Sequence, residues 1–150
     1  MPADAFERAV GALGQRERTT AELEAWLVDR GYSAAEIATA IERLTAIGEL
    51  DDERFARRYA EDKRELRGWG TDRIREALVA KGIDRATIEP AVGGGSTGEE
   101  LARAIALLER RGEPAVDEPS RARALGFLAR RGYDSELAYE AVRAFERRVA

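Results

Sequence analysis

The chain contains no cysteine and no histidine. The first absence excludes disulfides and thiolate-held metal, and the second removes the commonest general base and the commonest zinc ligand. Most routes to catalysis are thereby closed. The expectation is a protein that is not an enzyme and needs no cofactor, with no catalytic, cofactor-binding or metal-binding residues. No apolar run reaches the roughly 18 residues that would suggest a membrane span. The N-terminal stretch Met1-Pro2-Ala3-Asp4-Ala5-Phe6-Glu7-Arg8 lacks the basic and apolar segments of an export leader. A cytoplasmic chain with no membrane contact is expected. Prolines are few, at four, and runs of β-branched residues are scarce, which argues against a sheet.

What is abundant is helix former: alanine, leucine, arginine and glutamate. The apolar share of 44% is ordinary for a folded chain, while 36% charged residues is high for one thick core. A thin all-α body fits both. The net charge of −4 is unevenly spread. Residues 1–50 and 83–120 are each net −4, whereas 51–82 is net +1 and 121–150 net +3. A dedicated nucleic-acid binder is basic as a domain, and this chain is basic only locally.

Three segments align without gaps: Leu27-Val28-Asp29-Arg30-Gly31-Tyr32-Ser33, Leu78-Val79-Ala80-Lys81-Gly82-Ile83-Asp84 and Leu128-Ala129-Arg130-Arg131-Gly132-Tyr133-Asp134. Their glycines stand 51 and 50 residues apart, the mark of an internal repeat. The signature has a physical meaning. A basic residue suits the negative end of a helix dipole, and glycine can take the left-handed conformation that ends a helix. An apolar residue then folds back, and Ser33, Asp84 or Asp134 caps the next helix.

Each copy holds three apolar stripes at spacings of three and four. In the first copy they are Phe6, Val10 and Leu13; Leu23, Trp26 and Leu27; and Ile37, Ile41, Leu44 and Ile47. The second has Phe55, Tyr59 and Leu66; Ile74 and Leu78; and Ile88 and Val92. The third has Leu101, Ile105 and Leu108; Leu125 and Leu128; and Leu137, Val142 and Phe145. Thr20, Thr71 and Ser120 are the expected caps of the middle helices, Asp51 and Asp52 open the helix carrying Phe55, and Gly48 closes the one before. The prediction is nine helices, roughly 4–17, 20–30, 33–48, 52–67, 71–81, 84–92, 99–111, 120–131 and 134–149. They form three tandem three-helix repeats: 1–50, 51–92 and, after a glycine-rich linker at 93–98, 99–150. The linker should let the third unit swing.

Three groups of residues invite a sharper reading. The glycine run lacks the lysine and hydroxyl residue of a phosphate loop, so it reads as a spacer. Asp51-Asp52-Glu53 reads as first-turn capping rather than a metal site. Arg54, Arg57, Arg58, Lys63, Arg64 and Arg67 share one helix with Phe55 and Tyr59, and Arg73 and Arg75 follow. Interleaved acids, Glu53 with Arg57 among them, fit a salt-bridged solvent face. Arginine also suits bidentate contact with phosphates or an acidic partner. Trp69, between Gly68 and Gly70, either folds over its unit's core or stacks on a partner.

Four stretches resemble the RecX family of bacterial recombination regulators: Gly48-Glu49-Leu50-Asp51-Asp52-Glu53-Arg54-Phe55-Ala56 with Tyr59; Gly68-Trp69-Gly70-Thr71-Asp72-Arg73-Ile74-Arg75-Glu76-Ala77-Leu78 through Lys81-Gly82-Ile83; Arg16-Glu17-Arg18-Thr19-Thr20-Ala21-Glu22-Leu23; and Gly126-Phe127-Leu128-Ala129-Arg130-Arg131-Gly132-Tyr133. The resemblance implies an elongated, curved array of three-helix units. It also implies a monomer that binds the RecA filament, with DNA inside the filament as a second contact, and that inhibits ATPase and strand exchange in DNA repair, recombination and the SOS response. Non-specific DNA binding by the helical units is the alternative. The contacts expected are Arg54, Arg57, Arg58, Arg73, Arg130 and Arg131.

Overall fold

Helix starts are set by side chains that accept from backbone amides. Thr19 and Ser33 form reciprocal capping boxes with Glu22 and Glu36, and Asp4, Asp51 and Asp84 cap their own helices. The structure, a computed structural model, describes residues 4–93 and 97–149. Among these residues every regular element is a helix: α1 Ala5–Gln15, α2 Thr20–Asp29, α3 Ala34–Ala46, α4 Asp52–Arg67, α5 Thr71–Ala80, α6 Arg85–Val92, α7 Thr97–Arg111, α8 Glu118–Arg130 and α9 Ser135–Val149. The all-α reading and its three tandem three-helix repeats are what the structure shows.

Each unit packs its first and third helices against one another and lays the middle helix across them. Three separate cores result. Leu23, Leu27, Leu44 and Leu50 centre the first, Ile74, Leu78 and Ile88 the second, and Leu108, Leu128 and Phe145 the third. Buried alanines (Ala9, Ala56 and Ala104, none with exposed surface) let the first helix of each unit lie close to the others. Three stripe residues do not join a core. Ile47 and Leu66 are 61% and 78% exposed, and Val10 is exposed too. Ile47 fails because α3 ends at Ala46, leaving it as the C-cap.

The leucine-base-glycine signature closes all three middle helices by one pattern. Tyr32, Ile83 and Tyr133 donate their amides to the carbonyls of Leu27, Leu78 and Leu128, the outer bond of a Schellman cap. Gly31, Gly82 and Gly132 sit at φ +87°, +83° and +95°.

The glycines also join the units. A Cβ at Gly82 would stand 2.3 Å from the Ala21 methyl, and one at Gly132 would stand 2.5 Å from the Arg73 amide nitrogen. At the first joint the Thr19 hydroxyl donates to the Lys81 carbonyl (2.7 Å), and Asp52 accepts from the Thr20 amide (2.8 Å). The second joint repeats this plan with backbone. The Gly70 amide donates to Arg131 O (2.7 Å), Asp72 to Gly132 O (3.0 Å), and Glu100 accepts from the Thr71 amide (2.9 Å). The start of one unit's middle helix therefore meets the end of the next unit's middle helix, and an acid from the next unit's first helix caps it.

These joints correct several expected caps. Thr19, not Thr20, caps α2, and Gly70 precedes Thr71 with no side-chain cap of its own. Asp117 caps α8, with Ser120 as its capping-box partner; the extra turn moves the cap upstream. Asp51 caps its own helix through the Arg54 amide, whereas Asp52 serves the neighbouring unit. The expected Glu53–Arg57 pair does not form among the described residues, where Arg54 pairs with Asp51 instead. Of the linker, 94–96 lie outside the described residues, Gly93 caps α6 and Gly98 lies inside α7. The second joint, together with the Tyr133 hydroxyl on Gly68 O (3.1 Å), opposes the expected swing of the third unit.

Two predictions follow from this fold. Gly112 has φ +78° with nothing within 4 Å of a Cβ, so Gly112→Ala isolates the strain of a left-handed alanine, about 1 kcal/mol. Gly132→Ala adds overpacking against the α5 backbone and should cost about 2–4 kcal/mol in urea unfolding; equal losses would contradict the joint. Hydrogen bonds from backbone and side-chain partners hold the carboxyls of Glu36, Asp84 and Asp117 below their ordinary range, and Arg75 does the same for Glu89. Depressed folded values stabilise the fold above the unfolded value and lose that contribution as pH falls through the folded one. The melting temperature should thus hold down to about pH 5 and fall below about pH 4, and Asp84→Asn should make that fall shallower.

Candidate partner-binding surface

Residues four apart on a helix share a face. In α4 this sets Phe55, Tyr59 and Lys63 in a row. Gly68 ends α4 in the left-handed conformation, turning Trp69 back towards the same row. The rings of Phe55 and Tyr59 stack at 6.0 Å, and Tyr59 meets Trp69 edge-on at 6.4 Å. All three are half-buried and pack against the core of the middle unit.

Cations cover this row. Lys63 lies 5.2 Å from the Tyr59 ring centre and 4.9 Å from that of Trp69. Lys81 lies 5.9 Å from Phe55 and 5.5 Å from Tyr59, and the Arg73 guanidinium lies 4.1 Å over Trp69. Each such contact is worth about 0.5–1 kcal/mol at an exposed site. Burial pushes the Tyr59 hydroxyl up from its usual pKa, with Arg73 pulling it partly back. Lys81 also meets Glu22 at 3.6 Å. Lys63 and Arg73 have rings rather than carboxylates as partners among the described residues, so no carboxylate there neutralises their charge. The strip runs from the first joint, at Lys81, to the second, where the Arg73 guanidinium donates to Arg130 O (3.2 Å).

The six arginines singled out in the sequence are not brought into one cluster. Arg54 donates to Gly48 O and Glu49 O, bracing the turn before α4. Arg58 pairs with Glu17 of the first unit at 2.8 Å. Arg73 and Arg131 brace the second joint, Arg131 by donating to Arg67 O and lying 4.6 Å over Phe127. Arg57 and Arg130 are exposed, and neither guanidinium has a carboxylate partner among the described residues.

Two features lie outside the contacts expected from the sequence. Lys63, expected only as part of the basic face of its helix, and Lys81, expected only as a helix-end base, complete the aromatic strip; the spacing of Lys63 from Tyr59 marks the first. The second is a cleft of about 380 Å³ between the middle and last units, walled by Arg67, Arg110, Arg111 and Arg131 with Glu65 as its acid. Exposed Leu66 stands at its edge. No sequence signal marks this cleft, because its walls come from helices some 40 residues apart, on α4 and α7. Among the described residues no group of carboxylates could hold a metal ion, and no helix is long and apolar enough to cross a membrane.

Comparison with known proteins places this geometry. Residues 5–44 match the pattern of the first three-helix domain of RecX, and residues 51–92 match the second. The regulatory protein RecX of Mycolicibacterium vanbaalenii is 38% identical over 142 residues, covering 88% of this chain and 77% of its own. That of Mycolicibacterium smegmatis is 35% identical, covering 85% and 71%. The crystal structure of RecX from Lactobacillus salivarius superposes with a TM-score of 0.87 at 19% identity, over 95% of this chain and 94% of that one. Tyr59, Trp69 and Gly82 lie inside the stretch that matches the second of these domains, and the chain belongs to the RecX family of regulatory proteins.

Proposed function

We propose that this chain is a cytoplasmic, monomeric regulator that binds the filament of the RecA recombinase on DNA and slows its ATP hydrolysis and strand exchange, with no catalytic group of its own. The observation that carries the reading is the cation-covered aromatic strip of the middle unit, in a chain that belongs to this family. Through Lys63 and Arg73 the strip offers charge with no carboxylate partner among the described residues, anchored on rings that bury well at an interface. Separate cores joined at helix ends make a row of units long enough to touch more than one protomer. A net charge of −4 favours a protein partner over bare DNA.

The proposed contacts are Arg54, Arg57, Arg58, Arg73, Arg130 and Arg131, led by Arg57 and Arg130, which have no carboxylate partner among the described residues. DNA within the filament is a further proposed contact, through the arginine cleft.

The test is the DNA-dependent ATPase of RecA with substoichiometric amounts of this chain. The rate should fall, and the double variant Arg57→Glu, Arg130→Glu should need about tenfold more protein for the same effect while its helical circular dichroism is unchanged. An ATPase rate unaffected by the unaltered chain would sink the proposal. Tight binding to DNA alone, weakening steeply with salt, would favour the direct DNA-binding reading instead.

A further inference from the structure

The joint signature occurs three times, but only two copies are filled. Gly82 receives the start of α2 and Gly132 the start of α5. Gly31 has the same left-handed backbone and the same Schellman closure, yet among the described residues nothing lies within 4 Å of where its Cβ would stand. The accompanying residues follow suit. Ile83 and Tyr133 are buried beneath filled joints, whereas Tyr32 at the open one is only half-buried. The carbonyls of Arg131 and Gly132 accept amides of the preceding unit, while among the described residues no backbone amide donates to those of Arg30 and Gly31.

The filled joints define what fits. Each occupant is the first turn of a helix, with Thr19 or Gly70 at its N-cap. At the Gly82 joint a methyl, that of Ala21, lies over the glycine. Glu22 adds an acid in that first turn, reaching Lys81; Arg30 occupies the matching place in the open copy. Among the described residues of a second copy, the matching starts of α2 and α5 are already engaged, and in the third unit Ser120, fifty residues after Gly70, is 4% exposed inside the capping box with Asp117. The exposed start of α3 carries serine, Ser33, where the joints have threonine or glycine.

We infer that the open Arg30–Gly31 end of α2 is a docking site for the first turn of a helix from a partner protein, with threonine or glycine at its N-cap, a small residue against Gly31 and an acid reaching Arg30. The partner's helix continues the row of joints by one further unit. Identifying that partner as the recombinase rests on the function proposed above.

The test compares Gly31→Asn with Gly48→Asn. Gly48 has φ +77° and open space like Gly31, but it ends α3 and belongs to no joint. Asparagine tolerates the left-handed backbone, so both variants should fold and melt alike. Binding of fluorescently labelled chain to RecA filaments on single-stranded DNA should weaken about tenfold or more for Gly31→Asn and stay unchanged for Gly48→Asn. Equal binding by Gly31→Asn, or equal weakening by Gly48→Asn, would overturn the inference.

A second arm does not depend on RecA. A synthetic peptide of residues 17–30, carrying the Thr19-Thr20-Ala21-Glu22 helix start, should shift the Gly31 and Tyr32 amide signals of the full chain, and Gly31→Asn should abolish the shift. Absence of any shift overturns the site itself. Failure of the unaltered chain to bind filaments, with the peptide shift intact, overturns the recombinase assignment alone. Gly31-dependent self-association in sedimentation would assign the joint to a second copy and overturn the foreign partner.

Discussion

The structure depends on one close approach: the start of a helix laid against a glycine that has no side chain to keep it away. At Gly132 the α5 backbone comes so near that even a methyl group would collide with it, and two amides of the preceding unit reach carbonyls that a larger residue would shield. The same glycine ends its own helix in a conformation that other residues adopt only under strain. Two constraints thus converge on one position. They also solve a problem at each end, since a helix start leaves amides without partners and a helix end leaves carbonyls without partners. The second joint satisfies one with the other directly, and the first does so through side chains, the Thr19 hydroxyl on Lys81 O and Asp52 on the Thr20 amide.

The arrangement shapes what the molecule can do. The three cores are small and separate, so the units do not merge into one body with a deep central site. Surface is plentiful, and it is organised by the joints. Lys81 serves the first joint through its carbonyl and covers Phe55 and Tyr59 with its ammonium. Arg73 lies against Gly132 and over Trp69. Residues that fix the geometry between units are the same ones that order the aromatic strip, so the strip's shape and the array's shape are coupled.

Much of this was legible in the sequence. Periodicity and capping residues located the helices because both are local, and the leucine-base-glycine spacing exposed the repeat because its Schellman closure is a six-residue event. The family motifs pointed to Phe55, Tyr59 and Trp69. What was hidden is what distance along the chain hides. Arg58 and Arg131 are expected from the sequence as partner contacts, but Glu17 and the Arg67 carbonyl hold them from other units. Asp52 read as a cap for its own helix and serves α2 instead. Glycine's second role was equally invisible, since a helix stop and a joint need the same residue. Only the contrast between open Gly31 and filled Gly82 and Gly132 separates the two roles.

The central claim is that units are held by backbone contact at these glycines, and amide hydrogen exchange tests it directly. Amides at the start of a helix normally exchange quickly because they have no partner within it. The joint predicts that Gly70 and Asp72, bonded to Arg131 O and Gly132 O, exchange slowly. Ala34 and Ala35, which begin α3 away from any joint, should exchange near the free rate. Fast exchange at Gly70 and Asp72, indistinguishable from Ala34 and Ala35, would contradict the account.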